Sequence, residues 1–243
     1  MQKELDTNLL ETYTINVNNV MVEINIVTKE EEPVPLYIVN ITNISETTKV
    51  ILEKIRQEFI SRVDLETIEK AEEKEQDIRE RFKHDIQKLL AKYFPETDER
   101  TTHMLINYIL EENLGLGKME ILLKDPALEE IVINNHEDPL WVYHRQYGWL
   151  KTNIHVYTEA RIRHYATMIG RDVGKEITLL NPLMDAHLTT GDRVNATLAP
   201  ISNHGNTLTI RKFADDPWTI TKFIKSGTIT VEAAALIWLA VQN

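Results

Sequence analysis

Residues 181–213 read NPLMDAHLTTGDRVNATLAPISNHGNTLTIRKF, and this stretch decides the fold. It contains a short apolar segment, a tight Gly-Asp turn, and two runs in which apolar and polar side chains alternate. Such alternation predicts strands that turn one face toward a core. The two strands, Arg193–Pro200 and Thr207–Phe213, are separated by a turn-forming segment that contains Gly-Asn. The sequence therefore predicts an antiparallel hairpin.

Two arginines fall at one end of this hairpin. Arg193 opens the first strand and Arg211 closes the second, so antiparallel pairing would bring both guanidiniums to the same edge of the sheet. A planar guanidinium binds phosphate or carboxylate groups bidentately. Two interpretations stay open at this point, namely a pair that faces a phosphate and a pair of solvated surface arginines. Lys212 falls on the other face of the strand, where we expect a structural role.

The same stretch resembles the N-terminal domain of the secretion ATPase superfamily. The family pattern is roughly PxxDAxLxxGxRVNxxxxPxS, a Gly, then TxxIRKF, and each fixed position is present here. Upstream, GLGKMEILLKDPALEEIVINN resembles the family's GxGxLEPLLxDPxxxEIxVNG, with Met119, Ile121 and Asn135 in place of Leu, Pro and Gly. The resemblance covers about residues 113–225, close to half of the chain.

The resemblance implies a function. Members of this superfamily are hexameric ATPases that power type IV pilus or archaellum assembly, or type II and type IV secretion. It implies that Arg193 and Arg211 reach the phosphates of ATP, that Arg171 is a second-rank candidate for the same role, and that Asp185 could orient one arginine. ATP and Mg²⁺ would be held mainly by a RecA-like motor domain, which is absent from this sequence.

The chain carries no phosphate loop of its own. The nearest match, Gly170–Glu176, has three residues between its glycines where the motif needs four, and a Glu where the motif needs a hydroxyl for magnesium. Since the phosphate loop is missing, we expect the chain to be inactive alone, although the longer protein would hydrolyse ATP. We expect no metal site either, because cysteine is absent and no two histidines are spaced three or four residues apart.

The whole chain is predicted to be an α+β protein: a β-rich and helical N-terminal subdomain, then a mixed sheet with flanking helices. We divide it into a variable β-rich part (1–62), a helical region (63–117), the secretion-ATPase N-terminal domain (118–227) and the start of a helix that leads to the motor domain (228–243). The predicted strands include 36–41, 130–133, 140–143 and 149–156, and two more within 12–28. The predicted helices are 46–62, 64–94, 98–113, 118–123, 158–169, 219–225 and 231–241.

The charge is unevenly distributed. The formal net charge is −11, which disfavours a general nucleic-acid-binding protein. Residues 1–100 hold 14 basic and 22 acidic residues, a balance of −8, whereas residues 139–214 hold 9 and 5, a balance of +4. Four aromatic residues of the second predicted hairpin could stack on bases, but core packing is the favoured interpretation of Trp141, Tyr143, Tyr147 and Trp149. We expect no nucleic-acid partner.

The resemblance implies partners and a location as well. They are further copies of the same chain in a hexameric ring, a polytopic membrane platform protein, and regulatory proteins at the acidic N-terminal part. The location would be the cytoplasm, peripheral at the inner face of the membrane; the archaeal branch is favoured. The alternative function is a non-enzymatic docking module for a platform or regulatory protein. The sequence leaves open which filament or cargo is served.

Overall fold

A computed structural model describes residues 7–17, 20–41, 44–62, 75–213 and 218–242. Its nine strands form one mixed sheet, with the spatial order β1-β2-β3-β6-β5-β4-β9-β8-β7. The strands are β1 (Thr7–Val17), β2 (Val20–Lys29), β3 (Leu36–Ile41), β4 (Leu128–Ile133), β5 (Pro139–His144), β6 (Gly148–His155), β7 (Leu183–His187), β8 (Arg193–Thr197) and β9 (Thr207–Arg211). The helices are α1 (Glu46–Arg62), α2 (Glu75–Tyr93), α3 (Glu99–Leu114), α4 (Met119–Lys124), α5 (Glu159–Asp172), α6 (Ile220–Lys225) and α7 (Val231–Gln242).

The predicted α+β class is confirmed, and two compact units carry it. Residues 1–212 form the first unit, which contains the whole sheet with α1 to α5, and residues 213–243 form the second, which contains α6 and α7. All pairs of neighbouring strands are antiparallel except β3 and β6, which pair in parallel through Leu36 and Tyr37. This pairing joins the first three strands to the rest of the sheet. The four-part division drawn from the sequence stays a prediction.

Several predicted element boundaries agree with the structure. The predicted strand 36–41 and helix 46–62 are confirmed at both ends. The predicted helix 64–94 is described from Glu75 onward, and its first part lies outside the described residues. The first residue of the predicted helix 158–169, Thr158, is the N-cap of α5, since its side chain accepts a hydrogen bond from the backbone N–H of Arg161 at 3.2 Å.

The structure adds a strand to the predicted hairpin and corrects one face of α1. The apolar segment before Gly191 is a regular strand, β7, which pairs with β8 along its whole length. On α1, the helical spacing predicts that Val50 lies on the same inner face as Ile55 and Phe59. This was wrong for Val50, which is exposed, whereas Leu52, Ile55 and Phe59 are buried. The buried side of α1 is the side that packs against α2. There the rings of Phe59 and Phe82 meet edge to face with centroids 5.1 Å apart.

One face of the sheet is covered. Along β8 and β9 the buried residues are Val194, Ala196, Leu208 and Ile210, as the alternation predicted. Helix α5 packs on this covered face through its own buried stripe. Gly170 lies so close to the sheet that an added Cβ would stand 3.1 Å from the sulfur of Met184 on β7. The side chains that alternate with these buried residues along β8 and β9 therefore lie on the opposite face of the sheet.

A buried carboxylate joins the N-terminal strands to the rest of the first unit. Asp125 is fully buried after α4, and one of its oxygens, Oδ2, accepts hydrogen bonds from the hydroxyls of Tyr13 at 2.6 Å and Tyr37 at 2.5 Å. Its Oδ1 accepts from the backbone N–H of Ala127 at 2.8 Å, and its backbone carbonyl accepts from Lys212 Nζ. Burial first, and then the neighbouring carboxylate, raise the pKa of both tyrosines, which therefore remain donors.

His144 lies beside this network and is buried as the neutral imidazole. Its Nδ1 accepts hydrogen bonds from the backbone N–H groups of Gln146 at 3.1 Å and Tyr147 at 3.4 Å, which places the ring proton on Nε2. Within the described residues, Nε2 has no hydrogen-bond partner. Desolvation lowers the pKa of His144, and the nearby Asp125 opposes this shift without cancelling it.

We expect the free energy of unfolding to fall as the pH drops through the usual pKa of histidine, 6.5. The unfolded chain binds a proton at His144 in this range, whereas the folded chain resists it, so acid favours unfolding. His164 contributes in the same direction, because partial burial and then Arg161 and Arg171 lower its pKa. Urea unfolding between pH 7.5 and pH 5.5 measures the slope. His144→Asn keeps an acceptor but does not titrate, and an unchanged slope in this variant would contradict the assignment.

Candidate functional site

The open face is the side of β7, β8, β9 and β4 that carries the two arginines. Arg193 and Arg211 are direct cross-strand partners, so the pairing expected from the hairpin is present. The same register places His187 of β7 opposite Arg193 and Glu130 of β4 opposite Arg211. These four residues form a row across the sheet, which we call the arginine row. Directly opposed side chains on one sheet face lie about 4.5–5.5 Å apart at Cβ, close enough to act on one ligand.

Arg193 is held by a carboxylate of the neighbouring strand. Its Nε lies 3.2 Å from Asp185 Oδ1 and its Nη2 lies 2.8 Å from Asp185 Oδ2, which is a two-point, fork-on-fork contact. The Arg193 side chain is 53% exposed. Lys175 reaches the same residue and donates to its backbone carbonyl. The expectation that Asp185 orients an arginine is met in this structure.

Arg211 is held less completely. Its Nε and Nη2 both approach a single oxygen of Glu130, Oε2, at 3.3 and 3.1 Å. The Arg211 side chain is 70% exposed, whereas that of Glu130 is 19% exposed. In this pair the Glu130 carboxylate is the more buried group and the Arg211 guanidinium is the more exposed one. Both arginines present part of the guanidinium to solvent from a rigid strand, which is the geometry that an incoming phosphate needs.

The turn before β9 is fixed by a contact that only glycine permits. Gly205 has φ of 117°, and a Cβ at this position would lie 2.5 Å from Glu159 Oε1. Glu159, in the first turn of α5, accepts from the backbone N–H of Asn206 and stands 2.7 Å from His136 Nδ1. The glycine of the motif therefore lets the turn dock on α5 and fixes where β9 begins.

The aromatic hairpin differs from the expectation of core packing. Tyr147 alone among the four aromatic residues packs against the buried core. Tyr143 and Trp149 are cross-strand partners in an edge-to-face contact with centroids 5.3 Å apart, and Trp149 is 42% exposed. Because Tyr143 also pairs with Glu130, these two rings continue the arginine row on the open face. The core-packing interpretation was wrong for them, since the face that they occupy is not the covered one.

Arg171 lies elsewhere. It sits in the last turn of α5, next to Gly170, on the layer that covers the opposite face of the sheet. The charge of Arg171 acts on His164 of the same helix. The structure thus brings Arg193 and Arg211 together and does not add Arg171 to them. The assignment of all three to ATP phosphates stays a prediction.

Sequence reasoning missed Glu130 as the partner of Arg211. The sequence predicted Glu130 only as the start of a strand. Its link to Arg211 depends on the register between β4 and β9, and 74 positions separate the end of β4, Ile133, from the start of β9, Thr207. A usable signal existed, because strand alternation places Glu130 on the face opposite to the buried Ile131. An acidic residue on the polar face of a strand is stabilised by a basic residue at the opposite position of the adjacent strand.

We expect the Asp185 carboxyl to titrate below the usual value of 3.8, because the hydrogen bonds from Arg193, and then its charge, lower the pKa of this group. Carboxyl ¹³C NMR measures the midpoint directly. Arg193→Gln should move the midpoint upward, while Arg145→Gln, which alters a comparably exposed arginine paired with Glu129, should leave it in place. A midpoint unaffected by Arg193→Gln would show that the pair is not formed in solution.

The described residues contain no group of three or more His, Cys, Asp or Glu side chains that could hold a metal ion. In the same parts of the chain, no helix combines the length and the apolar composition needed to span a bilayer.

The chain is similar to longer archaeal proteins. No protein-family model matches it. It is 33% identical to the uncharacterized protein MJ0781 of Methanocaldococcus jannaschii over 98% of its own length, and covers 31% of that protein. It is 36% identical over 56% of its length to the uncharacterized protein MJ0900 of the same organism, and covers 25% of it. The chain thus spans between a quarter and a third of the length of these relatives.

A solved structure shows a weaker likeness. It is the VirB11 ATPase from the Brucella suis type IV secretion system in complex with sulphate. The match covers 52% of this chain and 37% of the VirB11 chain. The two are 19% identical in sequence, and the TM-score is 0.41. A likeness of this size carries no functional conclusion.

Proposed function

We propose that this chain is the N-terminal domain of a hexameric ATPase of the type II and type IV secretion superfamily. In this proposal the longer protein drives assembly of a pilus-like or archaellum filament, or protein secretion, and the domain brings Arg193 and Arg211 to the phosphates of ATP. The single observation that carries the proposal is the direct pairing of these two arginines on the open face. The motif resemblance and the greater length of the archaeal relatives support it.

The proposed chemistry follows from the row itself. A phosphate presents acceptor oxygens to the N–H donors that each guanidinium now directs at Asp185 or Glu130, so an incoming nucleotide would exchange with these carboxylates. Cations placed against the transferring γ-phosphoryl group stabilise the charge that develops in its transition state. ATP and Mg²⁺ would be held by the motor domain, and the domain described here would close onto them. Closure that depends on nucleotide would couple hydrolysis to movement.

The partners and the location are proposals of the same rank. We propose further copies of the chain in a closed hexameric ring, a polytopic membrane platform protein, and regulatory proteins at the acidic N-terminal part. A ring of identical subunits needs head-to-tail contacts. The proposed location is the cytoplasm, at the inner face of the membrane. The archaeal branch is our preferred assignment, because both relatives named above come from an archaeon.

The test is the ATP turnover of the longer protein with Arg193 or Arg211 replaced by alanine. A collapse of turnover with an intact fold supports the proposal, and unchanged turnover in both variants refutes the assigned role.

The second candidate function is a docking module without nucleotide chemistry. The second compact unit favours it, since α7 exposes Leu236, Trp238 and Val241 to solvent. Large apolar side chains exposed together on one helix are typical of a surface that packs against protein. The docking function alone predicts that nucleotide leaves partner binding unchanged, which pull-down with the longer protein in ATP and in ADP would show.

A further inference from the structure

The nine-stranded sheet has two edge strands, and they differ in how well they are protected. Strand β7 forms one edge; it has five residues, and Lys175 donates to the backbone carbonyl of Asp185 within it. Strand β1 forms the other edge, has eleven residues and, among the described strands, pairs only with β2. A bulge at Leu10 interrupts its start, after which the register is regular from Glu11 to Val17. This regular part contains no lysine and no proline, the side chains that commonly block an edge strand.

The core beneath β1 is incompletely closed. Three residues of β1 lie on the covered face of the sheet, because each pairs with a buried residue of β2; they are Glu11, Tyr13 and Ile15. Tyr13 and Ile15 pack against the core but are only partly buried. Thr12 and Thr14, which alternate with them, are exposed on the opposite face. A further strand at this edge would pair with the outward backbone groups of β1 and would bury the two apolar side chains more fully.

The charge at this edge selects the kind of strand that fits. Glu11 has no cationic partner among the described residues, and its carboxylate lies within hydrogen-bonding reach of the uncharged Tyr147 hydroxyl. An acidic residue opposite Glu11 would be repelled and an apolar one would leave the carboxylate uncompensated, whereas lysine or arginine would pair with it. The surroundings have the same sign, because residues 7–41 hold five acidic residues and one basic residue, a balance of −4. The edge therefore favours a basic partner.

A second copy of this chain does not meet these requirements. Pairing two copies through β1 would bring together two N-terminal parts, residues 1–100, that each carry a balance of −8. It would also place no lysine or arginine opposite Glu11, since β1 contains neither. Both observations favour a different chain as the occupant.

We propose that β1 binds an extended segment of another protein, which adds a tenth strand to the sheet. The segment carries lysine or arginine opposite Glu11, apolar residues opposite Tyr13 and Ile15, and polar residues between them. Backbone hydrogen bonds along the edge supply the affinity, and the alternating side chains supply the specificity. Of the proposed function, this inference rests only on the partner at the acidic N-terminal part. The arginine row lies at the other end of the sheet, so a failure here leaves the ATP turnover test unaffected.

The experiment titrates the ¹⁵N-labelled 243-residue chain with three synthetic peptides that have blocked ends. KTVTVTK fits the proposed pattern in either strand direction, ETVTVTE reverses its charge, and KTVPPTK lacks two successive N–H groups, one of which must fall in the ladder. We expect KTVTVTK to shift the amide NMR signals of residues 11–15 saturably and to slow hydrogen exchange at alternate amides of this stretch. ETVTVTE should bind about tenfold more weakly, because like charges then oppose each other. KTVPPTK should not slow exchange in β1.

Two substitutions in the chain test the role of Glu11. Glu11→Lys should invert the preference, so that ETVTVTE binds more tightly than KTVTVTK. Glu23→Lys is the matched control, because it makes the same change of charge on β2 but on the opposite face of the sheet, and it should keep the preference for KTVTVTK. If circular dichroism shows that Glu11→Lys does not fold, Glu11→Gln replaces it and should narrow the difference between the two charged peptides.

Several outcomes would overturn the proposal. They are an absence of binding, equal affinity for KTVTVTK and ETVTVTE, equal protection of β1 by KTVPPTK, and signal shifts centred on another element. A preference that Glu23→Lys inverts as Glu11→Lys does would show that net charge alone directs binding, and would contradict it too. Protection of the β1 amides that rises with chain concentration in the absence of peptide would make a second copy the occupant and overturn it as well.

Discussion

Arg193→Ala in the longer protein is expected to lower ATP turnover at saturating ATP by at least about two orders of magnitude, the scale on which a single fixed donor or cation acts on a transferring group. Arg211→Ala should act in the same direction. Both guanidiniums are exposed, and each forms an ion pair on the surface of the sheet. Removing either guanidinium therefore breaks a surface ion pair and leaves the packing of the core unchanged. The thermal unfolding midpoint should therefore stay close to that of the unmodified protein. Phosphate release under single-turnover and steady-state conditions measures the effect.

The chain offers a matched control for this experiment. Arg145 pairs with Glu129 at 3.2 Å, and its side chain is 54% exposed against 53% for Arg193. Arg145→Ala therefore removes a similar surface ion pair outside the arginine row. Its turnover should equal that of the unmodified protein. A loss in Arg145→Ala as large as that in Arg193→Ala would mean that turnover responds to surface charge in general, and the role assigned to the row would fail.

Lysine tests the geometry of the row. Arg193→Lys keeps the positive charge but has no planar fork, so it loses the two-point contact that Asp185 now makes. We expect turnover of this variant to stay well below that of the unmodified protein. Full activity with lysine would show that charge alone is needed, and the alignment of the guanidinium by Asp185 would have no role.

Asp125→Ala is expected to lower the free energy of unfolding of the chain by about 3–5 kcal/mol, because it leaves several buried donors without an acceptor. Those donors are the hydroxyls of Tyr13 and Tyr37 and the backbone N–H of Ala127. Urea unfolding followed by circular dichroism gives the value. The variant should also unfold β1 and β3 more readily than β8 and β9, which hydrogen exchange would resolve.

Removing one hydroxyl, and mutating an unrelated surface acid, distinguish the loss of hydrogen bonds to Asp125 from the destabilisation that any substitution causes. Tyr37→Phe leaves Asp125 with two of its three partners and should cost about 1–2 kcal/mol. Asp85→Ala is the surface control, since Asp85 is half-exposed on α2 and pairs with Lys88 at 3.7 Å, and such a change costs about 0.5 kcal/mol or less. If Asp125→Ala were as mild as Asp85→Ala, the carboxylate would not be the centre of the network.

Elements with a strong local period could be predicted from the sequence. Alternation predicted a strand with one face toward the core, and Val194 and Ala196 of β8 are buried. Helical spacing predicted the helix 98–113, which the structure has as α3. In the site, the positions of Arg193 and Arg211 in adjacent antiparallel strands were enough to predict their pairing. All of these depend on contacts close in sequence.

Contacts distant in sequence could not be predicted. The parallel pairing of β3 with β6 joins segments more than a hundred residues apart, and no local pattern encodes its register. The sequence Asp125-Pro126 is typical of a turn, so it gave no sign that the carboxylate is buried against two tyrosines. The open position of Trp149 depends on which face α5 covers, and periodicity alone does not decide between the two faces.

The parallel seam between β3 and β6 has a consequence for the acidic beginning of the chain. Because Leu36 and Tyr37 border Lys151 and Thr152, removing the first three strands would leave β6 as a bare edge and strip Asp125 of both tyrosines. Asp125 in turn holds Lys212, the residue that follows Arg211. Strands β1 and β3 thus support, through Asp125 and Lys212, the strand that ends in Arg211. Replacing the first three strands by another sequence would require strands that pair with β6 in the same way.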